Sequence, residues 1–154
     1  MLQNRLRVEG ARVLDLFAGS GNLGFEALSR GADSCVFVDN NRTSLGIVEE
    51  NAALLQCLPQ CEIVYDDALS FVTRGGRSFD LVFADPPYAF APTPEIPGKV
   101  FENGLVSDQW YLIIEHHKNA VMSPSDLYSL SVQKHFGTTR VSFFIHPTMK
   151  KDSV

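Results

Sequence analysis

Asp85, Pro86, Pro87 and Tyr88 stand in succession, an acid and an aromatic on either side of two prolines. A nucleobase amino group is a poor nucleophile, because its lone pair is delocalised into the ring. Two acceptors aimed at its hydrogens draw that pair out toward an electrophile. The Asp85 carboxylate is one such acceptor. A backbone carbonyl of the turn, foremost that of Pro86, is the other. Proline fixes its own φ and restricts its predecessor, so the turn is preorganised. Tyr88 offers a flat face for a base to stack on, and a base swung out of its helix would enter such a slot. A strand stopped by a proline turn accounts for Pro86 and Pro87. It does not account for the acid before them or the aromatic after them.

A second stretch, LDLFAGSGNLG at 14–24, carries Gly19, Gly21 and Gly24 as a literal G-x-G-x-x-G, with Asp39 about one strand later. Taken alone this pattern is weak. Glycines let a backbone approach a ligand with no Cβ in the way. The pyrophosphate of a dinucleotide wants N–H groups at a helix N-terminus and no carboxylate nearby, yet Asp15 stands just before the glycines. A carboxylate there suits a cation. S-adenosylmethionine has a sulfonium, an ammonium, a ribose diol and an adenine, and no phosphate. Asp39 can accept from both ribose hydroxyls, a task that the two cofactor classes share. A nicotinamide dehydrogenase is the rival, but no hydride-transfer site is evident. His116 and His117 follow a strand and read as ordinary rim residues.

These residues need a scaffold that brings strand ends together. Arg12–Phe17 reads as a strand entering a tight turn, Asn22–Arg30 as a helix stopped by Gly31, and Ser34–Asp39 as a second strand. Asn41 or Thr43 can cap a helix running to about Leu55. Cys61–Tyr65, Phe79–Ala84 and Trp110–Glu115 read as strands, and Ala68–Arg74 as a short helix. Strands alternating with helices predict a doubly wound α/β fold with a parallel sheet. The near-continuous apolar strands agree. Tyr128–Phe136 and Arg140–His146 are strand-like and only three residues apart, which predicts an antiparallel hairpin. Ala89–Gly98, with three prolines, reads as a mobile surface loop. In such sheets ligands bind beyond the carboxyl ends of the strands. Phe17–Gly21, Asp39, Asp67 and Asp85–Tyr88 all fall on that rim.

The 154 residues are enough for one domain with a real core. No apolar run approaches a membrane span, and the first residues lack a signal-peptide core, so a soluble cytoplasmic protein is expected. The formal charge of −5 argues against a strong nonspecific grip on nucleic acid. The basic residues gather at the ends: Arg5, Arg7 and Arg12, then Lys134, Arg140, Lys150 and Lys151. Cys35, Cys57 and Cys61 read as reduced thiols. No zinc set completes Cys57 and Cys61, and no metal is expected.

The segments DLFAGSGNLGFEALSRGA, FVDNN, DDALSF and FDLVFADPPY, with the terminal FGTTRVSFF, resemble class I S-adenosylmethionine-dependent methyltransferases. Among these they resemble the bacterial 16S rRNA guanine-N2 methyltransferase family, from about Arg12 to Ile145. The DPPY motif alone is shared with adenine and cytosine amino-methylases. The resemblance implies a seven-stranded Rossmann-like sheet, with strand seven antiparallel between strands five and six. By position it implies that Asp15 and the turn Phe17, Ala18, Gly19, Ser20 and Gly21 line the methionine part of the cofactor. It puts Asp39 on the ribose and Asn40 beside the adenine. Asp67 would accept from the adenine amino group, with Ala68 alongside and Asp66 as the substitute. Asp85 and Pro86 would bind the target amino group, Pro87 would stiffen the turn, and Tyr88 would stack on guanine. The implied partner is 16S rRNA in a small-subunit assembly particle. Relatives usually carry a longer basic N-terminus that helps grip RNA, and only MLQNRLRVEG precedes the first strand here. A single methyltransferase domain over 1–154, lacking that arm and binding RNA weakly, is therefore expected. A DNA amino-methyltransferase is the nearest rival, although no target-recognition region is spare. A cofactor-binding module that needs a partner is another.

Overall fold

The computed structural model describes residues 6–149. Arg5, Lys150 and Lys151 therefore lie outside the described residues. Seven strands form one sheet in the order β3-β2-β1-β4-β5-β7-β6. They are β1 (Arg12–Leu16), β2 (Ser34–Asp39), β3 (Cys61–Tyr65), β4 (Phe79–Ala84), β5 (Val106–His117), β6 (Ser129–Phe136) and β7 (Thr139–Ile145). The first five are parallel. β7 inserts antiparallel between β5 and β6. This is the expected doubly wound sheet with its antiparallel end.

Alternation along each strand sends successive side chains to opposite faces. Val13, Phe37, Leu81, Phe83, Ile113 and Phe143 build one core layer, closed by Ala27 of α1 (Asn22–Ser29) and Val48 of α2 (Arg42–Leu54). Leu14, Leu16, Val38, Val82, Leu112 and Ile114 build the other, closed by α3 (Ala68–Arg74) and α4 (Ile96–Glu102). The sheet is thus buried on both sides, which is why its strands carry so few polar residues. Asn41, not Thr43, caps α2; its side chain accepts the Ser44 N–H at 3.0 Å. Cys35 is fully buried, and the Cys57 and Cys61 sulfurs lie 3.9 Å apart as free thiols.

Two expectations need correction. Ala89–Gly98 is not a loop throughout: Thr93–Glu95 is a turn of 3-10 helix, and α4 starts at Ile96. Pro94 and Pro97 sit in the first turns of these helices, where the missing N–H has no partner to lose. Ile96 and Val100 are buried against the sheet and anchor the crossover. The fifth strand also begins earlier than Trp110. Its polar start at Ser107–Gln109 pairs through a register shift opposite Phe79–Leu81, which breaks the apolar pattern.

Candidate active site

The chain runs outward from β1 to β3, then returns to β4 on the other side of β1. The switch point lies between β1 and β4, and the crevice beyond their carboxyl ends is where a doubly wound sheet holds its ligand. Register brings the two motifs there. Leu16 pairs with Ala84, so Phe17 and Asp85 leave adjacent strands at the same level. Leu16 also pairs with Val38, and Asp39 with Tyr65. The acids that end β2 and follow β3 thus reach the same rim.

The glycine loop is held from inside the protein. Gly19 and Gly21 turn at φ of 58° and 88°, where a side chain would be strained. Gly24 has a different duty: a Cβ there would stand 2.3 Å from the Phe37 ring and 2.7 Å from the Cys35 sulfur. Its bareness lets α1 press onto β2. The Gly19 N–H donates to the Asp39 carboxylate at 2.8 Å, and the Gly24 N–H donates to the Asp15 carboxyl at 3.0 Å. The Gly21 N–H donates to the Ala18 carbonyl at 2.8 Å. The amides that would cradle a pyrophosphate are engaged by protein acceptors, two of them carboxyl groups. Phe17 takes φ of 59°, uncommon for a bulky residue, and its ring meets Phe90 edge-on at 5.1 Å.

A cleft of about 270 Å³ opens over this loop, lined by Phe17, Gly19, Asp39, Asn40, Asp67, Ala68, Asp85, Pro87 and Phe90. Three carboxyl groups face it, and among the described residues no Lys or Arg lines it. A polyanion would find no countercharge there, whereas a cationic ligand would. Asp39 also accepts the Asn41 N–H at 2.9 Å. Asp67 caps α3 through Oδ2, which accepts from the Ser70 N–H and hydroxyl at 2.9 and 3.2 Å. Its Oδ1 is left for the cleft. Asp66 instead pairs with Arg74, away from the cleft.

Of the residues expected on the cofactor, Phe17, Gly19, Asp39, Asn40, Asp67 and Ala68 line the cleft, while Asp15, Ala18, Ser20 and Gly21 do not. Asp15 is buried on the Val13 face of β1. Burial, aided by the nearby Asp85 and Asp39, pushes its carboxyl up to about 8 against the pull of the Gly24 hydrogen bond. Asp15 thus sits beneath the loop, latched to the Gly24 N–H with its carboxyl held toward the protonated form, and does not line the cleft.

Beyond Asp85 a second cleft, of about 230 Å³, is bounded by Asp85, Pro86, Tyr88, Glu115, His117 and Thr139. Asp85 lines both clefts. Tyr88 is 81% exposed, and its ring meets the His117 ring edge-on at 5.0 Å. That leaves a free aromatic face at the mouth. Glu115 was not anticipated as part of the site. Ala84 pairs with Ile114, so Asp85, just past the end of β4, lies level with Glu115 of β5. Partial loss of solvent, then the charge and hydrogen bond of Glu115, push Asp85 up to about 7. His116 is also more than a rim residue. It is buried, with Nε2 2.8 Å from the Ser142 hydroxyl and Nδ1 2.9 Å from the His117 carbonyl oxygen. Gln133 donates to the same hydroxyl at 2.9 Å. Burial lowers the pKa of His116, so a neutral ring ties β5 to the hairpin beneath the second cleft. The expected clue was available in IIEHH, an acid at a strand end on the same rim as Asp85.

Known proteins share this fold and much of this sequence. The family model described as Conserved hypothetical protein 95 matches residues 1–145. A Haemophilus influenzae protein named ribosomal RNA small subunit methyltransferase D is 30% identical over 133 residues, covering 84% of this chain and 69% of its own length. The Escherichia coli K12 protein of the same name is 33% identical over 105 residues, covering 68% of this chain and 52% of its own length. A solved Streptococcus pyogenes structure, described as a conserved hypothetical protein, superposes with a TM-score of 0.81 at 29% identity, over 92% of this chain and 91% of that one.

Proposed function

The chain belongs to the Conserved hypothetical protein 95 family, and from that premise we propose that it methylates the 2-amino group of a guanine in small-subunit ribosomal RNA, using S-adenosylmethionine. The observation that carries this reading is Asp85, whose carboxyl is shared by an acidic cleft without basic residues and an aromatic-rimmed slot. A donor in the first and a base in the second meet at that group. The relatives named for small-subunit rRNA support the substrate class. The resemblance carried by ADPPY and the extended glycine segment supports guanine N2 as the acceptor.

The residues present fit the cofactor. Asp39 would accept from the ribose hydroxyls, Asp67 Oδ1 from the adenine amino group, and Phe17 and Phe90 would wall the cleft. When bound, S-adenosylmethionine supplies an electrophilic methyl group, which an amine nitrogen takes in a single displacement at carbon. Asp85 and the Pro86 carbonyl would each accept one amino hydrogen, turning the nitrogen lone pair toward the donor cleft. Acceptors set in place beforehand also favour the positive charge that develops on nitrogen. The extra proton leaves the product amine to Asp85 or to water. Tyr88 would hold the ring by stacking.

The test is calorimetric titration with S-adenosylmethionine, S-adenosylhomocysteine and NADH, followed by transfer of labelled methyl to undermethylated small subunits. Binding of the first two without NADH, and label in guanine, is the expected result. Binding of NADH alone would overturn the cofactor reading. Tyr88→Ala should lower kcat/KM on subunits by about 10- to 100-fold, the worth of one lost stacking contact. Tyr88→Phe should stay within about threefold, because it keeps the stacking face. An equal loss in both variants would assign the work to the hydroxyl.

A further inference from the structure

The slot poses a problem of donors. Asp85 and Glu115 both line it, side by side from adjacent strands, and among the described residues no Lys or Arg does. A base that enters must bring donors for both, or leave a carboxylate facing a lone pair.

The four bases differ on this point. Adenine and cytosine each present an amino group next to a ring nitrogen that accepts. Uracil presents a ring N–H flanked by carbonyls and has no amino group. Guanine alone presents an amino group next to a ring N–H, so its edge offers adjacent donors to adjacent acceptors. Asp85 and Glu115 stand one residue past the Ala84–Ile114 pair of parallel neighbouring strands, Glu115 still within β5. Their side chains are therefore offset by one strand spacing, about 4.8 Å, and converge on the slot they share.

We propose that Glu115 selects guanine by accepting its N1–H, while Asp85 and the Pro86 carbonyl hold the 2-amino group. This rests on the methyl-transfer reading above and adds the residue that decides which base is accepted. As an acceptor, Glu115 turns away adenine and cytosine, whose ring nitrogens meet it lone pair to lone pair. A buried polar pairing of this kind discriminates strongly because the wrong partner leaves the protein group unpaired.

The test separates N1–H from the amino group. 2-Aminopurine keeps the 2-amino group and replaces N1–H by a bare acceptor. Wild-type protein first identifies the labelled guanine in undermethylated small subunits. Subunits are then rebuilt with ligated 16S rRNA carrying guanosine or 2-aminopurine at that position. Wild-type kcat/KM should be about 10- to 100-fold lower on 2-aminopurine. Glu115→Gln can turn its amide to donate to the bare nitrogen, so it should bring the two substrates within about threefold of each other. It should do so while binding S-adenosylhomocysteine like wild type. Wild-type protein that uses 2-aminopurine as well as guanosine overturns the assignment without any variant. So does a Glu115→Gln protein that slows both substrates equally. No label in guanosine subunits overturns instead the methyl-transfer reading on which the assignment stands.

Discussion

Asp85→Ala abolishes methyl transfer, lowering kcat by about a thousandfold, while S-adenosylmethionine binds within about threefold of wild type. The asymmetry follows from where Asp85 sits. It touches the cofactor cleft only at its edge, where it opens into the slot. Asp39, Asn40, Asp67 and the Phe17–Phe90 wall keep the rest of that cleft. An acceptor that engages the amino group as charge develops acts on the transition state more than on ground-state binding. Asp85→Asn keeps one oxygen acceptor and should retain part of the activity. The wild-type rate should also climb with pH to a plateau above about 7, since Asp85 must ionise to accept, and its carboxyl is held up to about 7. The asparagine variant should lack that limb. Single-turnover rates across pH 5.5–9, beside calorimetric affinities, decide the matter. Equal loss of binding and turnover in Asp85→Ala would make Asp85 a cofactor ligand first.

The parts of this site that could be read from sequence are those written in local punctuation. Strands that end in glycines or prolines announce their own ends, and an acid at such an end falls on the rim of a doubly wound sheet. Asp85 was placed that way, and Asp39 and Asp67 by the runs of polar residues that stop β2 and β3. Glu115 escaped because its meaning depends on register between β4 and β5, and a register shift near Phe79 separates the pairing from any count along the chain. The helix at Ile96 escaped because prolines were read as breakers, although at the first turn they are starters. Asp15 was legible as a strand residue, but not as a buried one. Charge is visible in a sequence, but burial is not. Its parity with Val13 would have sent it under α1, where the charged form is penalised.

That burial has a consequence large enough to measure. The Asp15 carboxyl ionises near 3.8 when the chain is unfolded and near 8 when folded. Between those values the native state holds a proton that the unfolded state has released. Stability from this group is therefore full below pH 4 and falls by about 1.4 kcal/mol per pH unit until pH 8. Asp85, raised to about 7, shifts stability in the same direction, but it does so equally in any variant that keeps it. The difference between wild type and Asp15→Asn isolates Asp15. Asparagine carries no charge and can still accept the Gly24 N–H. Its Tm advantage over wild type should widen by about 3 °C per pH unit between pH 5 and 8, then level off. Asp15→Ala should show the same pH dependence relative to wild type but lie below Asp15→Asn at every pH, because it leaves the buried Gly24 N–H unpaired at a cost of about 1–3 kcal/mol. A gap between wild type and Asp15→Asn that stays flat across pH 5–9 would mean Asp15 is ionised in the native state. The same variant examines its role toward a ligand. A latch can be neutral, so Asp15→Asn should bind S-adenosylmethionine like wild type. Loss of affinity without loss of Tm would return Asp15 to the cofactor's cationic end.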